Sequence, residues 1–403
     1  MTDLLPPAYP AARGECPFGP PKEYGAWRDV DGLGEVTLQG GERAWVATGY
    51  DYFRELLGDP RVSSDPENPG MPVVFPSHSA RIPTRKSWRN MDDPEHGRMR
   101  RMVNRRFNAP SVEKLRPMIE ERVVELLDAM SSDKSSADLM EEFAYPLPLI
   151  ITCDLLGVPY DKHAFFKQKV DQMFAPGGTP EDALAAGQDL SAYMSALIDD
   201  KQDTPSDDIM SDLVGGQLAK GELERSDVIN TSILLLVGGL EAVASMIGGS
   251  VILLTRHPEQ LAALRDSDDP TYVANAVEEL LRFVSPTENG INRTIVEDFE
   301  IGGHQIRTGD GLIVNAPAAN RDPRIFTDPE VLDTTKAPDA PHVAFGAGVH
   351  QYIGQTLARV ELQIALPALL RRLPDLHITV ADDEIPYRPN MQLFGVKSLP
   401  VAW

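Results

Sequence analysis

Residues 342–361 read HVAFGAGVHQYIGQTLARVE. Gly346 and Gly348 permit a tight turn and a close approach of the backbone to a neighbouring group. Good helix formers follow from Gln355 onward, so the turn leads directly into a helix. Free N–H groups and the helix dipole at such a junction favour an anionic ligand. A dinucleotide-binding motif does not fit, because Gln351 occupies the third glycine position and no clear βαβ unit surrounds the stretch.

The composition is that of a soluble globular protein, with 403 residues, 42% hydrophobic and 25% charged. A net charge of -23, from 38 Lys+Arg against 61 Asp+Glu, disfavours nucleic-acid binding, which relies on phosphate neutralisation. Two cysteines, Cys16 and Cys153, with no CxxC motif, exclude a disulfide framework and a cysteine-rich metal site. The first residues lack a basic segment followed by an apolar one, so we expect no secretory signal and a cytoplasmic protein.

Helical patterns dominate residues 90–285, whereas strand-like patterns lie at about 30–60 and 290–403. The predicted helices cover residues 111–130, 139–145, 149–156, 180–199, 227–255, 258–264, 272–283 and 355–373. The predicted strands cover residues 35–38, 44–47, 293–314 and 375–403. Pro117 is expected to kink the first of these helices. Contiguous helices with scattered strands predict one mainly α domain over residues 1–403 with small sheets.

The stretch at 228–255 is the one membrane candidate in the sequence. Glu241 divides it into uncharged parts that are each shorter than the roughly 20 residues a membrane span needs. We therefore expect a long buried helix and no membrane partner.

Five stretches share the order and spacing of one known family. Residues 345–359 carry Phe345, Gly346, Gly348, His350, Gly354, Leu357, Ala358 and Arg359. The other four stretches are MDDPEHGRMRR at 91–101, Glu279-Leu-Leu-Arg282, Arg293 and ANRDP at 319–323. Together they resemble the soluble bacterial class of the cytochrome P-450 superfamily, whose haem-binding loop reads F-G-x-G-x-H-x-C-x-G before L-A-R. The resemblance covers nearly the whole chain.

The resemblance implies a helix-rich triangular prism with small β-sheets and a haem b cofactor. It implies that His96, Arg100, Arg293 and His350 contact the haem propionates, and that Phe345 and Gly354 belong to the cofactor-binding loop. The implied function is a monooxygenase-like oxidoreductase for a small organic substrate in bacterial specialised metabolism, with a ferredoxin-type electron donor. The alternative is a non-redox homologue, either a haem-free helper protein or a cyclase or isomerase that reuses the pocket.

Two positions depart from the family pattern. Tyr352 occupies the position of the family's axial cysteine, which is the position of the metal ligand. The family's oxygen-binding helix has an acid followed by threonine, and here Glu241 is followed by Ala242. Glu241 and Ala242 are the expected catalytic pair. Glu241 retains the acid that would relay protons, but Ala242 lacks the threonine hydroxyl.

The change at Tyr352 alters the chemistry expected of the iron. A cysteine thiolate pushes electron density onto iron and favours O–O cleavage, whereas a tyrosinate is a harder and less donating ligand. A bound ferric ion would lower the phenol pKa strongly from its reference value of about 10. A phenol oxygen lies further from its Cβ than a thiol sulfur does, so the loop retreats, the haem shifts or the ring turns aside.

Each of these residues also has a structural interpretation. Tyr352 would be a core aromatic in a pocket without haem, would face a haem whose iron carries water or nothing, or would replace the cysteine of an otherwise ordinary enzyme. His350 would be a capping or core histidine, and Glu241 a buried acid paired with a neighbour.

A run of arginines forms a basic island in the acidic chain: Arg98, Arg100, Arg101, Arg105 and Arg106. The island is either a solvated helix face that balances nearby acids or a docking patch for an acidic donor. By family position, the substrate-contact loops are expected at 66–83 and 174–179, and their sequences do not identify a substrate.

Overall fold

The computed structural model describes residues 6–11, 18–74, 87–174, 179–388 and 393–403. Cys16 and parts of the two expected substrate-contact loops, at 75–83 and 175–178, lie outside the described residues. The assignment of residues 1–403 to a single domain stays a prediction.

Helices make up most of the described chain, as predicted. Their bounds are Lys22–Val30, Tyr50–Gly58, Glu95–Phe107, Ala109–Glu113, Arg116–Ser131, Pro146–Leu156, His163–Phe174, Pro180–Asp203, Ile209–Asp212, Arg225–Thr255, Pro258–Asp266, Pro270–Val284, Ala316–Ala319 and Gln355–Arg372. Single turns of 3-10 helix lie at Trp88–Asn90, Tyr160–Lys162, Gly348–His350 and Asp382–Glu384, and π-helical turns at Met140–Ala144 and Leu213–Leu218.

Pro117 and Pro146 lie at the starts of helices instead of kinking them. The predicted helix at 111–130 is two helices, and Pro117 lies in the first turn of the second, Arg116–Ser131. Pro146 likewise opens the helix Pro146–Leu156. A proline is tolerated in the first turn because the N–H that it lacks would have no partner in the helix. The predicted kink at Pro117 is therefore wrong.

Three small sheets accompany the helices. The five-stranded sheet has the order Leu33–Thr37, Arg43–Ala47, Gly311–Val314, Ile291–Ile295, Val62–Ser63. The predicted hairpin at Gly40-Gly41 joins its first two strands, which pair antiparallel, whereas the second and third strands pair parallel. The second sheet has three strands in the order Ser136–Asp138, Pro400–Ala402, His377–Ile378. The third sheet is the hairpin of Phe299–Ile301 with His304–Ile306.

Within the described chain, the predicted terminal strands at 375–403 are present only as two short strands. In the part of this stretch that the structure describes, the strands are limited to His377–Ile378 and Pro400–Ala402. The alternation of apolar residues there reflects isolated bridges, such as Tyr387 with Val396, which bury one side of an irregular segment.

The long helix Arg225–Thr255 forms the centre of the helical core. It packs against the helices on both sides, and its apolar residues belong to the large buried cluster. Within the described residues it is the one helix long and apolar enough to cross a membrane, but most of it is buried inside the protein. That burial is typical of the core helix of a soluble protein.

A buried ion pair connects the helix Pro270–Val284 to the loop that follows the five-stranded sheet. Arg282 Nε and Nη2 donate to the two carboxylate oxygens of Glu279 at 2.7 and 2.8 Å. The same guanidinium donates to the carbonyl oxygens of Asn320 and Pro329 at 2.9 and 2.8 Å. Glu279 also accepts the backbone N–H of Asp333 at 3.0 Å. Both charges are thus fully engaged inside the protein.

Glu279→Ala should destabilise the fold by about 3–5 kcal/mol, because it leaves the Arg282 charge buried and unpaired. Chemical denaturation monitored by circular dichroism measures this loss. Glu113→Ala is the matched control, since Glu113 and Arg116 form a pair of the same i,i+3 spacing at the surface. The control should change stability little. Equal effects of the two substitutions would contradict the structural role of the buried pair.

Candidate functional site

Two glycines shape residues 342–354, called here the glycine turn. Gly346 and Gly348 have φ of 76° and 69°, in the left-handed region. A Cβ atom at Gly348 would lie 2.0 Å from the carbonyl oxygen of Leu57, so no side chain fits there. The Tyr352 N–H donates to the Phe345 carbonyl at 2.9 Å, which closes the turn just before the helix Gln355–Arg372.

The Tyr352 phenol lies in a space that glycines leave open. A Cβ atom at Gly354 would lie 2.6 Å from the Tyr352 hydroxyl oxygen, and one at Gly239 of the long helix would lie 3.4 Å from it. The ring is nearly parallel to that of Phe345, with centroids 6.0 Å apart. Burial, and secondarily the charge of Glu361, raises the pKa of Tyr352. The phenol is therefore neutral unless a cation stabilises its anion.

A charged network also contacts Phe345. The Arg359 guanidinium lies 4.7 Å from the Phe345 ring centroid and donates to both carboxylate oxygens of Glu278, at 2.6 and 3.0 Å. His342 Nε2 lies 3.2 Å from the same carboxylate. Burial alone would raise the pKa of Glu278, but His342 and Arg359 lower it to about 2. Glu278 was not singled out from the sequence, although it directly precedes the Glu279 motif.

Two of the predicted propionate contacts are neighbouring histidines. The rings of His96 and His350 lie 4.0 Å apart between centroids. His350 Nε2 is 3.0 Å from the hydroxyl of Ser64. His96 Nδ1 is 3.3 Å from Asp93, whereas its Nε2 is buried with no hydrogen-bond partner among the described residues. One buried polar atom therefore lacks a partner at this point.

The other two predicted propionate contacts, Arg100 and Arg293, lie beside these histidines. Arg100 donates to the carbonyl oxygens of Val349 (3.0 Å) and Gln351, so it ties the basic helix Glu95–Phe107 to the glycine turn. Arg293 is 9% exposed, and its guanidinium donates to the carbonyl oxygen of Asn292 at 2.8 Å.

Among these four residues the two arginines carry the positive charge, because burial lowers the pKa of both histidines. Burial, followed by the positive charge of Arg89, lowers the pKa of Arg293 to about 10. Burial, followed by the charges of Arg293 and His96, lowers the pKa of His350 to about 3. Buried cations without anions are unfavourable. Two carboxylates placed among them would be stabilised by charge-assisted hydrogen bonds, and His96 Nε2 would gain a partner. The residues present therefore fit the propionates of a haem.

The predicted catalytic acid Glu241 has a partner that the sequence did not indicate. Arg388 Nη1 lies 2.9 Å from Glu241 Oε1, and both side chains are largely buried. The Arg388 N–H is bonded to the Gly395 carbonyl, and Gly395 packs against Ser245 of the long helix. The C-terminal segment thus reaches the helix that carries Glu241 and Ala242. This geometry matches the interpretation of Glu241 as a buried acid that is paired with a neighbour.

The basic island is partly neutralised. Arg105 and Arg106 form ion pairs with Asp212, and Arg106 also pairs with Asp207. Arg98 donates to the carbonyl oxygen of Glu222 at 2.9 Å and makes no ion pair within the described chain, like Arg101. Both of these arginines are exposed. The exposed charge on this helix that has no ion-pair partner among the described residues therefore belongs to Arg98 and Arg101.

Comparison with known proteins gives the family. Residues 36–400 match the cytochrome P450 family. Cytochrome P450-SU2 from Streptomyces griseolus is 43% identical over 98% of this chain and 96% of its own length. Vitamin D3 dihydroxylase from the same organism is 42% identical over 98% and 97% of the two chains. The crystal structure of GfsF superposes with a TM-score of 0.93 at 39% identity and covers 98% of this chain and 100% of its own.

The chain belongs to the cytochrome P450 family. Its fold is the cytochrome P450 fold, as predicted, and it is an oxidoreductase of the monooxygenase type. The family implies a haem cofactor and a redox partner. The alternative of a non-redox homologue is not favoured. The predicted roles of the individual site residues, and the role of Tyr352 at the axial position, stay predictions.

Glu278→Gln should lower stability near pH 7 by about 1–3 kcal/mol, because it removes the charge that His342 and Arg359 stabilise. A carboxyl whose folded pKa is below its unfolded value stabilises the fold above the unfolded pKa, and that stability disappears as the pH falls. The difference between parent and variant should therefore shrink as the pH falls from 4.5 towards about 2.

Urea unfolding at a series of pH values measures this difference. Glu259→Gln, at an exposed acid of the helix Pro258–Asp266, is the control and should show no such dependence. A Glu278→Gln difference that stays constant across the acidic range would contradict the network around Phe345.

Proposed function

We propose that this chain is a haem b monooxygenase of the soluble bacterial type, with Tyr352 at the axial position and a small organic molecule as substrate. The observation that carries the proposal is the group of basic residues at the glycine turn, in which Arg293 is buried, Arg100 is half-buried and His96 Nε2 has no hydrogen-bond partner among the described residues. A cytoplasmic location and a role in bacterial specialised metabolism go with this proposal. One of the relatives is named for the dihydroxylation of vitamin D3, which is itself a small organic molecule.

The proposed cofactor would be bound by the basic residues. Arg100 and Arg293 would donate to the propionates, and His96 Nε2 and His350 would complete the set of hydrogen-bond donors. Phe345 and Gly354 would lie against the haem, because both flank the Tyr352 phenol. When bound, haem supplies an iron centre that activates dioxygen.

The Tyr352 phenol would serve as the axial ligand after losing its proton to solvent. Burial disfavours its anion, so a ferric ion is needed to stabilise it. The free N–H groups at the start of the helix Gln355–Arg372 also favour an anion there. Because tyrosinate donates less electron density than thiolate, O–O cleavage should be slower than in a cysteine-ligated relative.

On the other side of the pocket, Glu241 would move protons without help from a neighbouring hydroxyl. Ala242 offers no donor, so water or a substrate hydroxyl would have to bridge the gap. Burial raises the pKa of Glu241, while the contact with Arg388 holds its carboxylate in place. Proton delivery is thus a second limitation, independent of Tyr352.

The electron donor would be an acidic ferredoxin that docks on the exposed face of the basic helix Glu95–Phe107. Arg98 and Arg101 carry its free charge, and Val349 of the glycine turn, 54% exposed, offers an apolar contact beside them. Opposite charges on donor and acceptor increase the rate of association.

Tyr352→Phe keeps the ring and removes the oxygen that would bind iron. If Tyr352 is the ligand, the ferric spectrum of the haem-loaded protein should lose its phenolate-to-iron charge-transfer band. Tyr352→Cys should give the red-shifted Soret band of the ferrous carbonyl complex that thiolate ligation produces, because the surrounding turn already has the family geometry.

Tyr24→Phe is the matched control for loss of a phenol oxygen from a buried tyrosine elsewhere in the protein, and it should leave the spectrum unchanged. A Tyr352→Phe protein with the ferric spectrum of the parent would place Tyr352 off the iron and favour its role as a packing residue.

Reversal of the two free charges, Arg98→Glu with Arg101→Glu, should slow reduction of the haem by an acidic [2Fe–2S] ferredoxin about fivefold or more at low salt. Stopped-flow mixing measures the rate. Added salt should slow the parent too, since exposed charges are screened beyond about 10 Å at 0.1 M.

Arg43→Glu with Arg307→Glu gives the same change in net charge on the exposed part of the five-stranded sheet region, and reduction should then proceed nearly as fast as in the parent. Equal rates for the parent and for both double variants would contradict the docking patch. The basic island would then be a solvated helix face that balances nearby acids.

A further inference from the structure

The indole of Trp88 is buried just before the basic helix Glu95–Phe107. Trp88 begins the single turn of 3-10 helix Trp88–Asn90, and it is 7% exposed. Its Nε1 atom is buried and has no hydrogen-bond partner among the residues that the structure describes. An indole N–H can only donate, and a buried donor without an acceptor is unfavourable. An acceptor from outside the described chain would remove this cost.

Trp45 shows the ordinary arrangement of an indole in this protein. Its Nε1 donates to the Asp310 carboxylate at 3.0 Å, on the five-stranded sheet. The unpaired N–H of Trp88 is therefore a feature of its location.

That location is the glycine turn. The Arg100 guanidinium lies 5.8 Å from the centroid of the Trp88 ring. The same guanidinium donates to the carbonyl oxygens of Val349, at 3.0 Å, and of Gln351. These two carbonyls flank His350 in the chain. Arg100 thus connects the Trp88 indole to the part of the turn that carries a predicted propionate contact.

A second buried nitrogen atom without a partner belongs to the same group of side chains. His96 lies four residues before Arg100, on the same face of the helix. Its ring is 4.0 Å from that of His350, and its Nε2 has no partner among the described residues. Since both nitrogen atoms are unpaired, Trp88 Nε1 and His96 Nε2 do not bond to each other. A ligand that carries acceptor oxygens would satisfy the indole N–H.

We propose that the Trp88 N–H donates to a haem propionate, which makes Trp88 a cofactor-binding residue in addition to the four expected from the sequence. A carboxylate is a strong acceptor, because a hydrogen bond to an ionised group is roughly twice as strong as a neutral one. The indole supplies a donor without adding another buried charge beside Arg100. This role rests on the haem site proposed above and is independent of the ligand at the iron.

The first measurement compares haemin with its dimethyl ester, which has the same ring and iron but no carboxylates. Each is titrated into the haem-free protein and followed by absorbance. Trp88→Phe keeps an aromatic ring and removes the N–H. It should weaken haemin binding about tenfold and change the affinity for the ester much less. A loss of packing alone would weaken both ligands to the same degree.

Trp45→Phe is the matched control, because it removes an indole N–H whose acceptor, Asp310, is known. It should leave the preference for haemin over the ester as it is in the parent.

The second measurement observes the indole directly, with zinc protoporphyrin and its dimethyl ester as diamagnetic probes. The chain has four tryptophans, and Trp88→Phe identifies the Trp88 indole signal in nitrogen–proton correlation spectra. Zinc protoporphyrin should move this signal further downfield than the ester does, because a charge-assisted hydrogen bond deshields the proton. The porphyrin ring itself affects the signal equally in both cases.

The outcomes separate the role of Trp88 from the haem site itself. A parent protein that binds haemin no more tightly than the ester would overturn the proposed haem site, and the role of Trp88 with it. A parent that prefers haemin, with the same preference in Trp88→Phe, overturns the role of Trp88 alone. So does an equal loss of affinity for both ligands in Trp88→Phe, or a Trp88 signal that responds equally to the two zinc porphyrins.

Discussion

The buried pair of Glu279 and Arg282 is the interaction on which the rest of the site depends. Its guanidinium fixes the carbonyl of Asn320, and the Asn320 side chain accepts the N–H of Val343 at 2.7 Å, where the glycine turn begins. The adjacent residue Glu278 extends this support through Arg359 to Phe345, which faces the Tyr352 ring. One helix therefore holds the turn at its first residues and at its aromatic centre, and loss of the pair would release both.

This support is independent of what occupies position 352. The glycine turn keeps the left-handed glycines, the closing hydrogen bond and the helix N-terminus of a haem-binding loop, while a phenol takes the place of the thiol. In the proposed site the propionates would be bound by Arg100, Arg293 and His96, which lie outside the turn, and by His350 within it. The chain can therefore retain the binding architecture of its family while the chemistry at the iron changes.

Motifs with fixed local spacing were the part of the site that could be predicted from the sequence. The glycine turn, the Glu279–Arg282 pair and the periodic helices all depend on neighbours within a few residues, and the hairpin at Gly40-Gly41 does too. The contact of Arg388 with Glu241 joins residues 147 apart and follows no local pattern, so only the folded structure reveals it. The helix Glu95–Phe107 is rich in arginine, and its buried residues are His96, Met99, Val103 and Phe107. Its pairing with Asp212 likewise depends on tertiary packing.

The central claim is that this cytochrome P450 binds haem with the Tyr352 oxygen on the iron. Resonance Raman spectroscopy of the ferric protein, prepared with ordinary and with ring-deuterated tyrosine, tests it directly. The account predicts tyrosinate vibrations enhanced by excitation in the charge-transfer band, shifted by the deuterium and absent from Tyr352→Phe. A fully haem-loaded protein without enhanced tyrosinate vibrations, or with vibrations that persist in Tyr352→Phe, would contradict it.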